Sequence, residues 1–425
     1  MAKRQAAHYE RRIMAKALDY LHDDPVVLLE GPRSVGKSTL LRQIARERAG
    51  RLIDLDDPAT LDVARADPAL LIAGGGLVCI DEYQKAPIVL DAIKAELNRS
   101  HEAGRFLLTG SAQYESLLPD AQALTGRLSR LRVLPLSQGE IAGVHEEWLE
   151  KFVDDPDATI AETRESSESR ESYIARISAG GFPLALAASS TAARNRWVDN
   201  YVDLTLARDV RDISNIRRPQ QLSVLIGRLA GQTGQILNVE KAAKDVGMAV
   251  TTANDYAALL EQVFLIYRLP AWGKTLSART SRLPKVHMVD SAIAARLLRL
   301  SPDKLATMEA TALTELGHLV ETFVVGEILK QVSWIEGVHT SGHWNTRDGD
   351  EVDLVLERDD GKVLAFEVKA ATRVPGGELK PMEKLQAKLG DKFLGGAALY
   401  LGERHYTYKP GIHVVPVDRL WTPLT

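Results

Sequence analysis

Cysteine is almost missing from this chain. Cys79 stands alone among 425 residues, which excludes an intramolecular disulfide framework and any cysteine-cluster metal site. Long apolar runs are missing too. The best candidate, LLIAGGGLVCI at residues 70–80, is interrupted by three glycines and falls short of the roughly 18 apolar residues of a membrane span. The amino-terminal MAKRQAAHYERRIMAKALDY lacks the apolar stretch of about 7–15 residues of a secretory signal, so no membrane partner and a cytoplasmic location are expected. Nor does charge of one sign prevail. Lys and Arg number 53 against 57 Asp and Glu, a net charge of −4, which excludes a dedicated polycation and leaves only local basic patches to grip nucleic acid. No internal repeat with a period of about 20–50 residues is visible. What remains, 45% hydrophobic and 26% charged, is the composition of an ordinary globular protein. At roughly 150 residues per domain the length predicts about three domains.

The pattern along the chain supports that count. Up to residue 150 the chain alternates short apolar runs (VVLLE, RLIDLD, LVCIDE, FLLTGS) with helical segments (STLLRQIARERA, VLDAIKAELNRS), as an α/β domain with a parallel sheet does. Residues 151–172 carry seven acidic and three basic residues. They are expected to form an exposed linker or insertion, the second half alternatively a solvated helix face. Residues 173–300 become helical, and a third unit over 308–425 runs from the helix LGHLVETFVVGEILKQV into the strands EVDLVLE, VLAFEVKA, GAALYLG and HVVPVD.

The sharpest motif is Gly31-Pro32-Arg33-Ser34-Val35-Gly36-Lys37-Ser38, followed by Thr39. It fits GxxxxGK[ST] between a strand and a helix, the context its mechanism needs. Backbone amides at a helix amino terminus attract phosphate. Lys37 supplies a point charge, and the Ser38 hydroxyl is the expected Mg2+ ligand. ATP and Mg2+ are therefore the expected cofactors. LVCIDE ends in Asp81, expected to hold the Mg2+ hydration shell, and Glu82, placed to orient and deprotonate water. FLLTGS ends in Thr109 and Ser111, where a residue sensing the γ-phosphate would sit, or else plain turn chemistry.

GPRSVGKST, LVCIDEYQK, LLTGSAQ, ALTGRL and GGFP together resemble the prokaryotic AAA-type ATPases that carry a following domain of unknown function. The likeness covers nearly the whole chain. It implies an ATPase with Lys37 and Ser38 as nucleotide ligands, Asp81 and Glu82 as metal and catalytic acids, and Ser111 as the sensor. It also implies a homo-oligomer or ring in which Arg127 reaches a neighbour's nucleotide as an arginine finger; a surface or ion-pair role competes for Arg127, and Arg130 and Arg132 compete for the finger. One departure is visible: the family places an acid after GGFP, and here Leu184 follows Pro183.

Within the middle unit, NVEKAAKDVG and AVTTANDYAALLEQ have helix-turn-helix spacing, with Gly247 in the turn and Thr251, Thr252, Asn254 and Asp255 on the second helix. Such a helix can enter a major groove. Lys274, Arg279, Arg282 and Lys285 flank an expected hairpin and suit phosphate contact, although Asp255 would repel it. The arrangement resembles a winged helix and makes DNA the expected partner.

The third unit offers Glu321 on its helix, Asp353 ending EVD, and Glu367 and Lys369 in EVK. Residues two apart on a strand share a face. Asp353 and Glu367 are expected to bind a divalent cation, Lys369 to polarise water, and Glu321 to complete the acidic shell. This part is similar to restriction-endonuclease-like domains of the PD-(D/E)XK type; each short string also recurs by chance, and such domains persist as binding platforms. His339 and His343 are taken as surface residues. The fold expected overall is α/β: a P-loop AAA-type ATPase domain, a helical and winged-helix domain, and a restriction-endonuclease-like domain. The function expected is ATP-driven remodelling or processing of DNA, branched forms included; the alternative is a nucleotide-gated switch that docks proteins.

Overall fold

The computed structural model of the chain describes residues 9–113, 124, 126–210, 219–273 and 282–424. Five parallel strands open it: β1 (Val26–Glu30), β2 (Arg51–Asp54), β3 (Val78–Asp81), β4 (Phe106–Gly110) and β5 (Leu128–Arg132), in the order β2-β3-β4-β1-β5. β1 and β4 are buried at every position, as apolar runs must be when helices cover both faces of a parallel sheet. Since β1 lies between strands that come later in sequence, its carboxyl end opens at a crevice where connections diverge to either side.

Helices Pro219–Ala230, Val239–Val246 and Val250–Gln262 accompany a small antiparallel sheet of β6 (Gln235–Ile236), β7 (Ile266–Leu269) and β8 (Lys285–Met288). β8 is its central strand. Asn238 caps the second of these helices by accepting from Lys241 N at 2.8 Å, and Gly247 at φ 71° ends it, a left-handed position that glycine adopts without a Cβ clash.

A six-stranded sheet completes the chain: β9 (Val338–Asn345), β10 (Glu351–Arg358), β11 (Val363–Lys369), β12 (Phe393–Tyr400), β13 (Tyr406–Lys409) and β14 (Ile412–Pro416), ordered β13-β14-β12-β11-β10-β9. β9, β10 and β11 are antiparallel neighbours, whereas β12 runs parallel to both β11 and β14. Helix Ala310–Val332 packs on this sheet and buries residues on several of its faces.

Residues 151–172 are not an exposed linker. Helices Trp148–Asp154 and Pro156–Glu162 bury Trp148, Phe152, Val153 and Ile160. The Phe152 ring lies 5.7 Å from that of Phe366 on β11. The acidic residues hide an apolar stripe at helical spacing, and burial of that stripe outweighs the polar average. One cluster of buried side chains runs from Leu40 through Trp148, Phe182 and Leu260 to Phe323 and Phe366, so the three sheets share a continuous core. Among the described residues no helix is long and apolar enough to cross a membrane.

Candidate functional site

The loop after β1 begins with Gly31 at φ 155°, where a Cβ would stand 2.1 Å from Val133 O; only glycine fits. Gly36, at φ 99°, caps helix Lys37–Glu47, leaving the first amides of that helix facing the loop. Lys37 is 4% exposed, and its Nζ donates to Gly31 O at 2.8 Å and Pro32 O at 2.7 Å. Residues Arg33 through Thr39 line a cleft of about 440 Å3 together with Tyr9, Glu82, Pro183 and Leu184. An amide cradle, a lysine and this volume fit a nucleotide triphosphate.

Asp81 and Glu82 meet the loop as the sequence predicts. Although β4 lies between β3 and the loop's own strand β1, Ser38 Oγ donates to Asp81 Oδ1 at 3.0 Å. Thr109 Oγ1 donates to the same oxygen at 2.5 Å and accepts from Glu82 N at 3.0 Å. Thr109 is thus the spacer that aligns both acids. Glu82 adopts φ 57°, ψ 46°, a left-handed conformation that costs a non-glycine residue roughly 1–3 kcal/mol and recurs at functional sites. Gln84 Nε2 bonds Glu82 Oε2 and donates to Ser111 Oγ at 2.9 Å; Ser111 lies 3.5 Å from that carboxylate and Arg33 Nη1 3.8 Å. Ser38 and Asp81 are the pair that would hold Mg2+. Ser111 therefore borders Glu82, and Gln84 ties the two together. Arg127 donates to Asn98 Oδ1 at 2.8 Å, while Arg132 stacks its guanidinium over Phe264 at 5.8 Å.

One contributor escaped the sequence. Arg11, 8% exposed, donates to Val35 O inside the loop at 2.5 Å, to Leu134 O at 2.8 Å and to Glu140 Oε1 at 3.0 Å. Its partners are remote in sequence, so no local pattern announces it. The GGFP landmark borders the site as well. Gly181 N donates to Asp290 Oδ2 at 2.7 Å and Leu136 N donates to Gly181 O at 2.8 Å, which brings Pro183 and Leu184 to the nucleotide cleft.

A second constellation forms at the C-terminal sheet. The register Leu354↔Phe366 sets Asp353 beside Glu367, and Glu321 reaches them from helix Ala310–Val332. The sequence's acidic quartet is brought together, but around a cation of the chain itself. Lys285 Nζ lies 2.7 Å from Asp353 Oδ1, 2.7 Å from Glu321 Oε1 and 2.5 Å from Glu351 Oε1. Its side chain is 2% exposed. Lys285 is therefore not a phosphate-contacting wing residue, because β8 turns it inward. Val368 N donates to Asp353 Oδ2 at 2.9 Å, and Lys369 Nζ lies 2.9 Å from Glu367 Oε1. Among the described residues no three His, Cys, Asp or Glu side chains are placed to hold a metal ion, and it is the Lys285 ammonium that sits between Glu321, Glu351 and Asp353.

Electrostatics follow burial. Burial, then the Asp353 charge, raises Glu367 to about 8 and Glu321 well above the carboxylate range, against the lysines. Burial also pushes Asp353 up, yet Lys285 overrides it and holds that group low. For Lys285 itself burial pulls downward, and Asp353, Glu321 and Glu351 more than reverse it. His343 is buried and bonds Leu283 O at 3.1 Å, not a surface position, while His339 is exposed.

In the middle segment Thr251, Asn254 and Asp255 are exposed and Thr252 half-buried on helix Val250–Gln262. Arg282 bonds Asn345 Oδ1 at 2.6 Å. Lys274 and Arg279 lie outside the described residues.

Residues 23–142 match the family described as AAA domain. With the strand order, the loop and the two acids on the page, the assignment is direct. Residues 23–142 are a P-loop ATPase domain of the AAA type. Residues 170–304 and 316–420 match two domains of unknown function, DUF8612 and DUF4143. The uncharacterized protein Rv2008c of Mycobacterium tuberculosis is 28% identical over 418 residues, covering 97% of this chain and 85% of the relative. Among solved structures, the Walker-type ATPase PABY2304 of Pyrococcus abyssi is similar at a TM-score of 0.42 and 16% identity, over 68% of this chain and 96% of that one. The RuvB Holliday junction branch migration motor of Thermotoga maritima is similar at 0.28 and 17%, over 62% and 90%.

Proposed function

We propose that this AAA-type ATPase hydrolyses ATP to act on DNA through its middle segment. Lys37 and the loop amides hold the phosphates, and Ser38 and Asp81 hold Mg2+, which when bound neutralises charge on the phosphoryl group. Glu82 orients a water and takes its proton as the water attacks the γ-phosphorus and ADP leaves. Ser111 and Gln84 keep the Glu82 carboxylate in place. Arg127, at the rim near β5, is the candidate that a neighbouring copy would contribute in a homo-oligomer.

The observation that supports DNA as partner is the order helix, strand, helix, turn at Gly247, helix, strand, strand over 219–288, with Thr251 and Asn254 presented outward. That is the order of a winged helix, whose second helix of the helix-turn-helix pair suits a major groove. The test is ATP turnover with and without duplex, single-stranded and four-way-junction DNA across a salt series. DNA contact requires log affinity to fall with log salt by about 0.9 for each phosphate neutralised. A flat response and unstimulated turnover would refute it.

A second reading, a nucleotide-gated switch that docks proteins, is favoured by one observation. Lys285 is spent inside the fold, and Asp255 faces outward where a phosphate would come.

A further inference from the structure

The Lys285 ammonium has three hydrogens, and three carboxylates, Glu321, Glu351 and Asp353, each claim one within 2.7 Å. Its backbone is fixed by pairing on both sides, Ile236↔Lys285 and Leu269↔Lys285. The side chain therefore leaves a rigid strand and ends among acids that belong to another sheet and another helix. The oxygens of the cluster are not all satisfied. Lys285 and Lys369 face Glu321, Glu351, Asp353 and Glu367, and Glu367, 7% exposed, keeps one oxygen, Oε2, without a hydrogen-bond partner. An orphaned buried carboxylate oxygen is costly, and it borders a cavity of about 400 Å3 lined by the same residues.

Oxygen ligands from two strands and a helix, with one oxygen unsatisfied, are what a hard divalent cation takes. A single ammonium satisfies three oxygens at one charge, where such an ion brings two charges and six or more coordination positions. We propose that Lys285 is a tethered cation seated between Glu321, Glu351 and Asp353, beside Glu367, in the place of a divalent metal, so that the acidic cleft is closed to Mg2+ or Mn2+ while β8 holds the lysine there and becomes a metal site when the lysine is withdrawn. The inference holds whether or not the middle segment meets DNA.

The test uses the full chain without nucleotide, titrated with Mn2+ alone and followed by loss of the free-ion paramagnetic resonance signal and by melting temperature. K285M is expected to gain one Mn2+ per chain, bound about tenfold or more tighter than any ion on the unaltered protein, as a carboxylate set freed of its competing charge should. It is also expected to melt lower than the parent in metal-free buffer and to recover with Mn2+. Adding D353N to K285M should abolish both gains, which separates this cation from one at Ser38 and Asp81. K285Q, whose amide still donates to a carboxylate, repeats the test if K285M does not fold. The proposal is overturned if the folded variants bind no more Mn2+ than the parent, or if the parent already binds an ion that D353N removes. Failure of both variants to fold in saturating Mn2+ would overturn it as well, by making Lys285 a purely structural ion.

Discussion

Ser38 Oγ donates to Asp81 Oδ1 at 3.0 Å, although β4 lies between the two strands that lead to these residues. The bond joins the two halves of the nucleotide site, and Lys37, next along the helix, is the charge that the phosphates would meet. Lys37→Ala is expected to weaken ATP binding by about a hundredfold, since charge-assisted hydrogen bonds to phosphate carry roughly 1.5–3 kcal/mol. Isothermal titration with ATP and Mg2+ measures it, and an affinity equal to the parent's would sink the assignment.

Glu82→Gln should still bind ATP while turnover drops about 100-fold or more, the usual scale for loss of a general base. Steady-state phosphate release paired with the same titration separates the two effects. Turnover at the parent rate moves the base elsewhere.

Arg11 is tested by stability and by nucleotide affinity together. Arg11→Ala leaves Glu140 with a buried, uncompensated charge, a loss of about 3–5 kcal/mol by analogy with other broken buried pairs. It also frees Val35 O in the loop. Denaturant unfolding is expected to show the first loss, and an increased ATP dissociation constant under folding conditions the second. Unchanged affinity in a folded variant would confine Arg11 to a scaffolding role.

Glu146 predicts a pH dependence. Burial, with the Glu327 charge adding to it, raises its carboxyl to about 8, and Gly139 N donates to one of its oxygens at 3.0 Å. The folded chain therefore keeps a proton that the unfolded chain releases near pH 4.5, so this group's contribution to stability is present below the unfolded pKa and is lost as pH rises toward about 8. Denaturant midpoints measured between those limits should fall with pH, and Glu146→Gln should flatten that slope. An equal slope in the variant refutes the assignment.

Phe152→Ala tests the segment that reads as a linker. A side chain stacked 4.6 Å from Trp148 and fully buried should cost about 3–5 kcal/mol when truncated. A loss within about 0.5 kcal/mol, the scale of surface changes, would restore the linker.

How much of this was legible in the sequence depended on range. The phosphate loop, Asp81 and Glu82 could be named because their spacing is local and each element announces its own period. The helix carrying Glu321 and the strands carrying Asp353 and Glu367 were equally visible as patterns. Polar strands were not: β9 and β13 lack a clean apolar run, so nothing marked them. Residues 151–172 were misjudged because acidic residues diluted an apolar stripe that a helical wheel would separate. Lys285 was misjudged for a different reason. In a string of basic residues beside a hairpin, charge suggests solvent, and only the acids of a distant helix and strand reveal that this one faces inward. Arg11 shows the same limit, since every one of its partners is remote along the chain.

Helix Ala310–Val332 carries Glu321 against Lys285, and, less than two turns further along, Glu327, which accepts from Gln138 N at 2.8 Å; one turn beyond that, Lys330 donates to Leu136 O at 3.0 Å. At about 1.5 Å per residue the two points of attachment are roughly 9 Å apart on one rod. Gln138 and Leu136 follow β5 directly, and Glu140 in the same short helix is the partner of Arg11 beneath the phosphate loop. One rigid helix therefore braces both places at once: the residues that follow β5 toward the nucleotide cleft and the lysine of the acidic cleft are tied to the same element.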